Sequence, residues 1–288
     1  MFERILVPLD GSELAEAILP QLRGALFRPG VDLILVRAVP RPYGMDTEAG
    51  RAMAALEDCA ADYLRMMERW LTGQGARVRT VIRRGPAAET ILAVGGEEGA
   101  SLIALSTHGR TGIGRWVLGS VAEKVLRASP MPVLAMRAAA GPREQAFRTL
   151  VVAIDSSDLS LEAVAPAIEL ARAFGSRVRP VHVCEGPECA VPVPQMTEAY
   201  ERFREAGIPV EPVMAQGDPA TGLLDACREC SADVIAIATH GRSGISRWAL
   251  GSVAEKVLRA STIPLLVVRA GRPAAASAEL AASGEAKG

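Results

Sequence analysis

The chain has 288 residues, with 32 Lys and Arg against 33 Asp and Glu, a formal net charge of -1 and 49% apolar residues. Near-neutrality sets up no basic face for nucleic acid, no apolar run approaches the ~20 residues of a membrane helix, and MFERILVPLD lacks the cationic lead and apolar core of a secretory signal. Neither nucleic acid nor membrane is therefore an expected partner, and the expected compartment is the cytoplasm.

In chain order, RILVPLDGS (Arg4 to Ser12) reads as a short apolar strand ending in an acid, and LAEAILPQLRGAL as the helix after it. DLILVRAV is a second strand, and an amphipathic helix runs from about Glu48 to Leu71. RVRTVIRRG, ending at Gly85, is a third strand that leads into another helix. SLIALSTHG is a fourth, followed by a Gly-rich basic string, the helix VAEKVLRAS and a last strand, PVLAMR.

The second half repeats this order. LVVAIDSSD (Leu150 to Asp158) matches strand 1, so Asp10 and Asp155 correspond at an offset of 145. RVRPVHVC, PVEPVMAQG, DVIAIATHG and PLLVVR follow as strands, with SLEAVAPAIELARAF as the first helix. His108 and His240 correspond at an offset of 132. The missing 13 residues fall between strands 2 and 3, where the counterpart of the long helix is a short one at about Gln195 to Ala206. Strands apolar on both faces and alternating with helices imply a parallel sheet covered on both sides. The period far exceeds that of solenoid repeats, so the chain is a tandem domain duplication. Residues 1–137 form the first domain, 138–147 a linker, 148–270 the second domain, and the Ala/Ser/Gly-rich 271–288 a disordered tail.

The longest identity between the halves is THGRTGIGRWVLGSVAEKVLRAS from Thr107 against THGRSGISRWALGSVAEKVLRAS from Thr239, which differ at three positions. In a doubly wound sheet, ligands sit beyond the carboxyl ends of strands where the strand order reverses. There the loop after strand 1, with Asp10, and this string would line one crevice. Gly109, Gly112 and Gly114 let backbone amides turn inward. Gly119-Ser120 opens a helix whose first amides carry partial positive charge, which suits a phosphate. Arg110 and Arg115 add charge, and Asp10 suits a ribose hydroxyl or a magnesium ion. Against this, Ser120-x-x-Glu123 and Ser252-x-x-Glu255 have the spacing of capping boxes, which satisfy a helix start without any ligand. Neither cap nor turn needs Trp116, Trp248, Arg115 or Arg247. No Walker or Rossmann spacing is present.

Five cysteines, Cys59, Cys184, Cys189, Cys227 and Cys230, are unevenly spread. Zinc or CxxC redox chemistry is one reading, and reduced packing cysteines the preferred one. His108 and His240 lie in the repeated loops and suit loop-fixing donors better than general bases, and His182 on strand 2 suits a core or edge position.

On the strength of Gly109 to Gly119-Ser120 and Gly241 to Gly251-Ser252, each a Gly-x9-Gly-Ser, with GSVAEKVLR in both halves, the chain resembles a tandem universal stress protein. Two UspA-like domains match, over residues 2–137 and 148–269. The ATP-binding members carry G-x2-G-x9-G-[ST] after strand 4. Ser106 and Ala238 stand where that motif has its first glycine, and Ala153 where the family often has proline. The resemblance implies an α/β HUP-type fold, a five-stranded parallel sheet of order 3-2-1-4-5 in each domain, and a stress-response role with ATP as ligand. It places Pro8 and Asp10 at the end of strand 1, and Ala38 against adenine through its backbone. Leu105, Ser106 and Gly109 then hold the ribose and phosphates, and Gly119, Ser120 and Val121 the phosphate tail. The second half offers Asp155, Val183, Ile237, Ala238, Gly241, Gly251, Ser252 and Val253. Magnesium would enter with ATP at Asp10 and Asp155. The two strand-5 edges are expected to pair antiparallel within one polypeptide as a pseudo-dimer, and the resemblance leaves open whether two such chains associate as a homodimer. Three readings of function remain open: a nucleotide-dependent regulator or binding module, a slow ATPase or nucleotidyl-transfer enzyme, and a scaffold that binds no nucleotide.

Overall fold

The computed structural model describes residues 2–22, 30–40, 48–107, 118–137, 147–186, 192–239 and 251–270, with side chains from residue 54 onward in the third segment. The linker other than Phe147, the tail, and the central part of both repeated strings, with Gly109, Gly241, His108, His240, Arg110, Arg115 and Trp116, lie outside the described residues.

The first half supplies β1 (Arg4–Pro8), α1 (Glu13–Glu16), β2 (Asp32–Val39), α2 (Glu48–Thr72), β3 (Arg77–Arg84), α3 (Ala87–Glu97), β4 (Leu102–Ser106), α4 (Ser120–Ala128) and β5 (Val133–Met136). The second supplies β6 (Thr149–Ala153), α5 (Val164–Phe174), β7 (Arg177–Cys184), α6 (Pro194–Glu205), β8 (Val213–Gln216), α7 (Pro219–Glu229), β9 (Val234–Thr239), α8 (Ser252–Ala260) and β10 (Leu265–Arg269). The ten strands among the described residues join one sheet, in the order β3-β2-β1-β4-β5-β10-β9-β6-β7-β8. Each half is parallel and follows 3-2-1-4-5 in its own count, as the resemblance implies. The halves meet at an antiparallel seam, where Leu265, Leu266 and Val267 pair with Ala135, Leu134 and Val133. Every residue of β5 is buried, as are the first four of β10. Neither strand is thus left as an open apolar edge.

Alternation along each strand sends side chains to opposite faces. Ile5 and Val7 join one buried cluster, while Leu6 joins the other. The first cluster runs from β1 through Leu134 and Leu266 to β6, so one apolar layer crosses the seam. A fully buried Leu or Ile contributes about 1.5–3 kcal/mol, which makes the shared layer a large term in joining the halves.

Two local outcomes differ from the sequence pattern. The helix expected from Leu14 onward stops after one turn as α1, and a 3-10 turn at Leu19–Leu22 follows. Pro20 has no N–H to donate and its ring crowds the preceding turn. In the second half Pro166 falls in the first turn of α5, where no donor is needed. That helix continues to Gly175, which terminates it at φ 66°. Phe147, at the end of the predicted linker, is buried and meets Phe174 edge-on with ring centroids 4.6 Å apart.

Candidate functional site

β1 pairs with β2 on one side and β4 on the other, and β6 with β7 and β9. Connections leave in opposite directions at these two strands, and a crevice opens at the carboxyl end of each. Each crevice holds a cavity, of about 270 Å3 in the first half and about 210 Å3 in the second. Both lie below the ~300–1,000 Å3 of ordinary ligand pockets, the first only slightly.

Of the residues that the resemblance singles out, Pro8, Asp10, Ala38, Leu105, Ser106, Gly119, Ser120 and Val121 line the first cavity. Asp155, Val183, Ile237, Ala238, Gly251, Ser252 and Val253 line the second, with Ala153 among them. Sequence reasoning missed the outer wall, which comes from the helix after strand 3: Ala87 and Ile91 of α3, and Pro219 and Leu223 of α7. The signal was the i, i+4 spacing of apolar residues just after Gly85 and Gly217, which puts both on one helix face. Val36 and Val181, two residues before Ala38 and Val183, complete the apolar floor from the same strand face.

The helix starts at the cavities correct the capping-box expectation. Gly119, not Ser120, is the N-cap of α4, and Gly251 the N-cap of α8, and neither helix start has a side-chain cap. Glu123 instead pairs with Arg127 at 2.9 Å and Glu255 with Arg259 at 2.7 Å. A glycine has no side-chain oxygen to give back to the first turn, so among the described residues no N-cap side chain covers the first-turn amides beside the cavity. Partial positive charge at such a terminus favours an anion. The Gly119 amide itself is held by the Thr107 carbonyl at 2.9 Å, and the Thr107 amide by the Met136 carbonyl at 2.8 Å.

Across each crevice sits the carboxylate after strand 1. Asp10 Oδ1 accepts from the Ser12 amide at 3.0 Å and the Ser12 hydroxyl at 2.6 Å. Asp155 Oδ1 does the same with Ser157, at 2.8 and 2.6 Å. One oxygen of each carboxylate is thereby fixed by an Asx turn. Among the described residues no group of three His, Cys, Asp or Glu side chains is placed to hold a metal ion.

Behind the strand-1 loop the halves diverge. Gly11 has φ 79°, and a Cβ there would lie 3.0 Å from Arg37 Nη1. The Arg37 guanidinium stacks 5.1 Å from the Tyr63 ring centre, and the Tyr63 hydroxyl donates to Glu16 at 2.8 Å. Burial first, then that bond to a carboxylate, pushes the Tyr63 phenol well above its ordinary pKa. The counterparts of Arg37 and Gly11 are His182 and Ser156. His182 is buried, as expected for a core position, and its Nδ1–H donates to the Ile154 carbonyl at 2.8 Å.

Two further differences separate the sites. The Ser106 hydroxyl is buried and has no hydrogen-bond partner among the described residues, whereas Ala238 has no hydroxyl to satisfy. Asp218 caps α7 by accepting from the Thr221 amide at 3.0 Å and receives Lys256 Nζ at 3.3 Å. The Thr221 backbone bond foremost, then the Thr221 hydroxyl and Lys256, hold its carboxyl below the usual range. Pro86 stands at the equivalent cap of α3 and offers no side-chain acceptor.

Cysteine chemistry is not part of either cavity. Cys59, Cys227 and Cys230 are free thiols, and burial foremost pushes the Cys227 thiol from 9.0 up to about 12. Cys184 corrects the reading of reduced packing cysteines, because it is disulfide-bonded. Its place at the end of β7, beside a loop rather than in the core, is the reason packing alone does not account for it. No described helix is long and apolar enough to cross a membrane.

Comparison with known proteins agrees with this geometry. The family model described as "Universal stress protein family" matches residues 1–137 and again 146–269. A universal stress protein of Methanocaldococcus jannaschii is 30% identical over 149 residues, covering 44% of this chain and 84% of that relative. The Bacillus subtilis universal stress protein YxiE is 30% identical over 149 residues, covering 43% of this chain and 99% of its own. Among solved structures, a universal stress protein of Archaeoglobus fulgidus matches with a TM-score of 0.76 over 94% of this chain and 100% of its own, at 22% identity, a likeness of fold.

Proposed function

The chain belongs to the universal stress protein family, and on that premise we propose that it is a nucleotide-binding module that takes ATP, with Mg2+, at two sites, and acts as a nucleotide-dependent regulator in the stress response. The observation that carries the reading is the pair of uncapped helix starts at Gly119-Ser120 and Gly251-Ser252, each opening on an apolar-floored cavity. A phosphate fits the helix end, where unsatisfied amides and the helix dipole act together. An adenine suits the floor of Val36, Ala38 and Ile91, or of Val181, Val183 and Leu223, which is apolar.

Asp10 and Asp155 suit a ribose hydroxyl or a magnesium ion shared with the phosphates. Magnesium commonly takes one or two carboxylates and completes its shell with phosphate oxygens and water, and one carboxylate per site fits that pattern only with the nucleotide present. Bound there, the ion would supply charge neutralisation at the phosphates. The lining that is described holds and orients a ligand: neither cavity has a His or Cys in its wall.

Isothermal titration of the full chain with ATP and MgCl2 tests the reading, with up to two equivalents expected. No heat and no stabilisation by ATP, ADP or AMP at millimolar concentration would overturn it. Release of labelled phosphate under the same conditions would favour the enzymatic alternative.

A further inference from the structure

α4 and α8 each reach from a cavity to the seam. Their N-terminal residues Ser120 and Ser252 line the two cavities, and nine residues carry each helix about 13 Å away. The last carbonyls of a helix have no partner inside it. Here each end is met by an arginine from the other half. Arg137, next after β5, donates to the Arg259 carbonyl in the last turn of α8. Arg269, at the end of β10, donates from Nη1 to the Ala128 carbonyl of α4 at 3.4 Å. The two arginines occupy equivalent places, 132 positions apart, so the contacts cross the seam reciprocally.

Each arginine is also tied to its own cavity. Arg137 follows Met136, whose carbonyl holds the Thr107 amide at 2.8 Å, and the Thr107 carbonyl holds Gly119, the N-cap of α4, at 2.9 Å. Arg269 precedes Ala270, whose amide donates at 2.9 Å to the carbonyl of Thr239, a wall residue of the second cavity. Hydrogen bonds joined by short stretches of main chain thus run from the first cavity through Arg137 to α8 and the second cavity, and from there through Arg269 to α4 and back to the first. A contiguous chain of bonds with a rigid helix in it is a physical route for coupling.

We propose that Arg137 and Arg269 are positioning residues, each holding the anion-facing helix of the opposite domain, so that the two cavities are energetically coupled. The coupling rests on the nucleotide reading of the cavities; the helix-holding does not. A cation at a partly buried helix C-terminus strengthens the helix enough to change local opening roughly three- to tenfold.

The test uses the full chain in two parts. Hydrogen exchange without nucleotide is compared for the wild type, Arg137→Gln and Arg269→Gln, with Arg137→Lys as a charge-keeping control. Exchange along residues 252–260 is expected to speed up about threefold or more in Arg137→Gln and not along 120–128, with the reverse in Arg269→Gln and recovery in Arg137→Lys. ATP titration then follows in a Ser120→Asp background, where only the second site is left to bind. There Arg137→Gln is expected to weaken ATP about threefold, and in a Ser252→Asp background to leave the first site alone. Unchanged exchange in the opposite helix overturns the proposal, and so does equal weakening at both sites. If the wild type binds no nucleotide, the proposed function falls, and the exchange result still decides whether the arginines hold the helices.

Discussion

The Gly119 amide donates to the Thr107 carbonyl at 2.9 Å, fastening the start of α4 to the end of β4. This bond uses the N-cap amide, so Ser120 and Val121, which line the cavity beside Gly119, carry the next amides of the helix start. Ser120→Asp with Ser252→Asp should therefore abolish any stabilisation by ATP. The unliganded melting temperature should stay within ~0.5 kcal/mol equivalent of wild type, because an acid in the first turn suits the helix dipole. For the wild type, ATP at ~100 times its dissociation constant adds about 2.7 kcal/mol per site. Differential scanning fluorimetry with and without Mg-ATP reads both effects, and a double variant that is still stabilised by ATP would show that the helix starts are not the anion site.

Gly11→Ala should destabilise the chain by about 1–2 kcal/mol. The backbone sits at φ 79°, and the added carbon would meet Arg37 Nη1 at 3.0 Å; left-handed backbone alone costs a side-chain-bearing residue about 1–2 kcal/mol. Adding Arg37→His, the second half's residue at that place, should remove the contact but not the backbone strain, and so recover only part of the loss. Urea unfolding of the single and double variants measures it.

Ser106→Ala should raise unliganded stability by about 1 kcal/mol. A buried hydroxyl without a partner forfeits its water bonds and gains nothing in return. Ala238 shows that the second half does without one. A clear loss of stability in urea unfolding would mean that the hydroxyl has a partner in solution.

Cys227 should resist alkylation in the native protein while Cys59, which is exposed, reacts. Only the thiolate attacks, and burial holds the Cys227 thiol protonated up to about pH 12. Because the folded pKa is raised, this group's contribution to stability is complete below pH 9 and is lost as pH rises from about 9 towards 12. Mass spectrometry after timed iodoacetamide treatment, repeated in urea, reads the order of labelling. Native Cys227 modified as fast as Cys59 would contradict its burial.

Much of this molecule is legible from residue order. The duplicated strand pattern, with offsets of 145 and 132, carries the two-fold repetition of a parallel α/β unit, while the strand order of each half and the seam between the strand-5 edges follow from the family resemblance. The cavity rims follow from where strands end: Asp10 and Asp155 close strand 1, and Gly-Ser opens the helix after strand 4. Other features depend on three-dimensional competition. Ser120-x-x-Glu123 has capping-box spacing, but the preceding glycine takes the cap and Glu123 finds Arg127. LAEAILPQL reads as one helix until the position of Pro20 within it is weighed. Arg137 and Arg269 look like ordinary strand-end cations, because nothing local to them shows the helix that they meet across the seam.

The seam makes the last prediction. β5 has parallel β4 on one side and antiparallel β10 on the other, and all four of its residues are buried. Expressing residues 1–140 alone would remove β10 and uncover Val133, Leu134 and Ala135 together with their unpaired amides. An apolar edge of this kind recruits another strand. The half-chain carries its own match, since an antiparallel pairing of β5 with a second β5 reproduces the seam's geometry with a true twofold axis. Arg137 of each copy would then meet the end of the other's α4, as it now meets α8. Sedimentation equilibrium should show a dimer or larger species, and Leu134→Lys on the same half-chain should shift it towards monomer. A soluble half-chain that stays monomeric at tens of micromolar would show that the seam is held by the linkage of the two halves and not by the strands themselves.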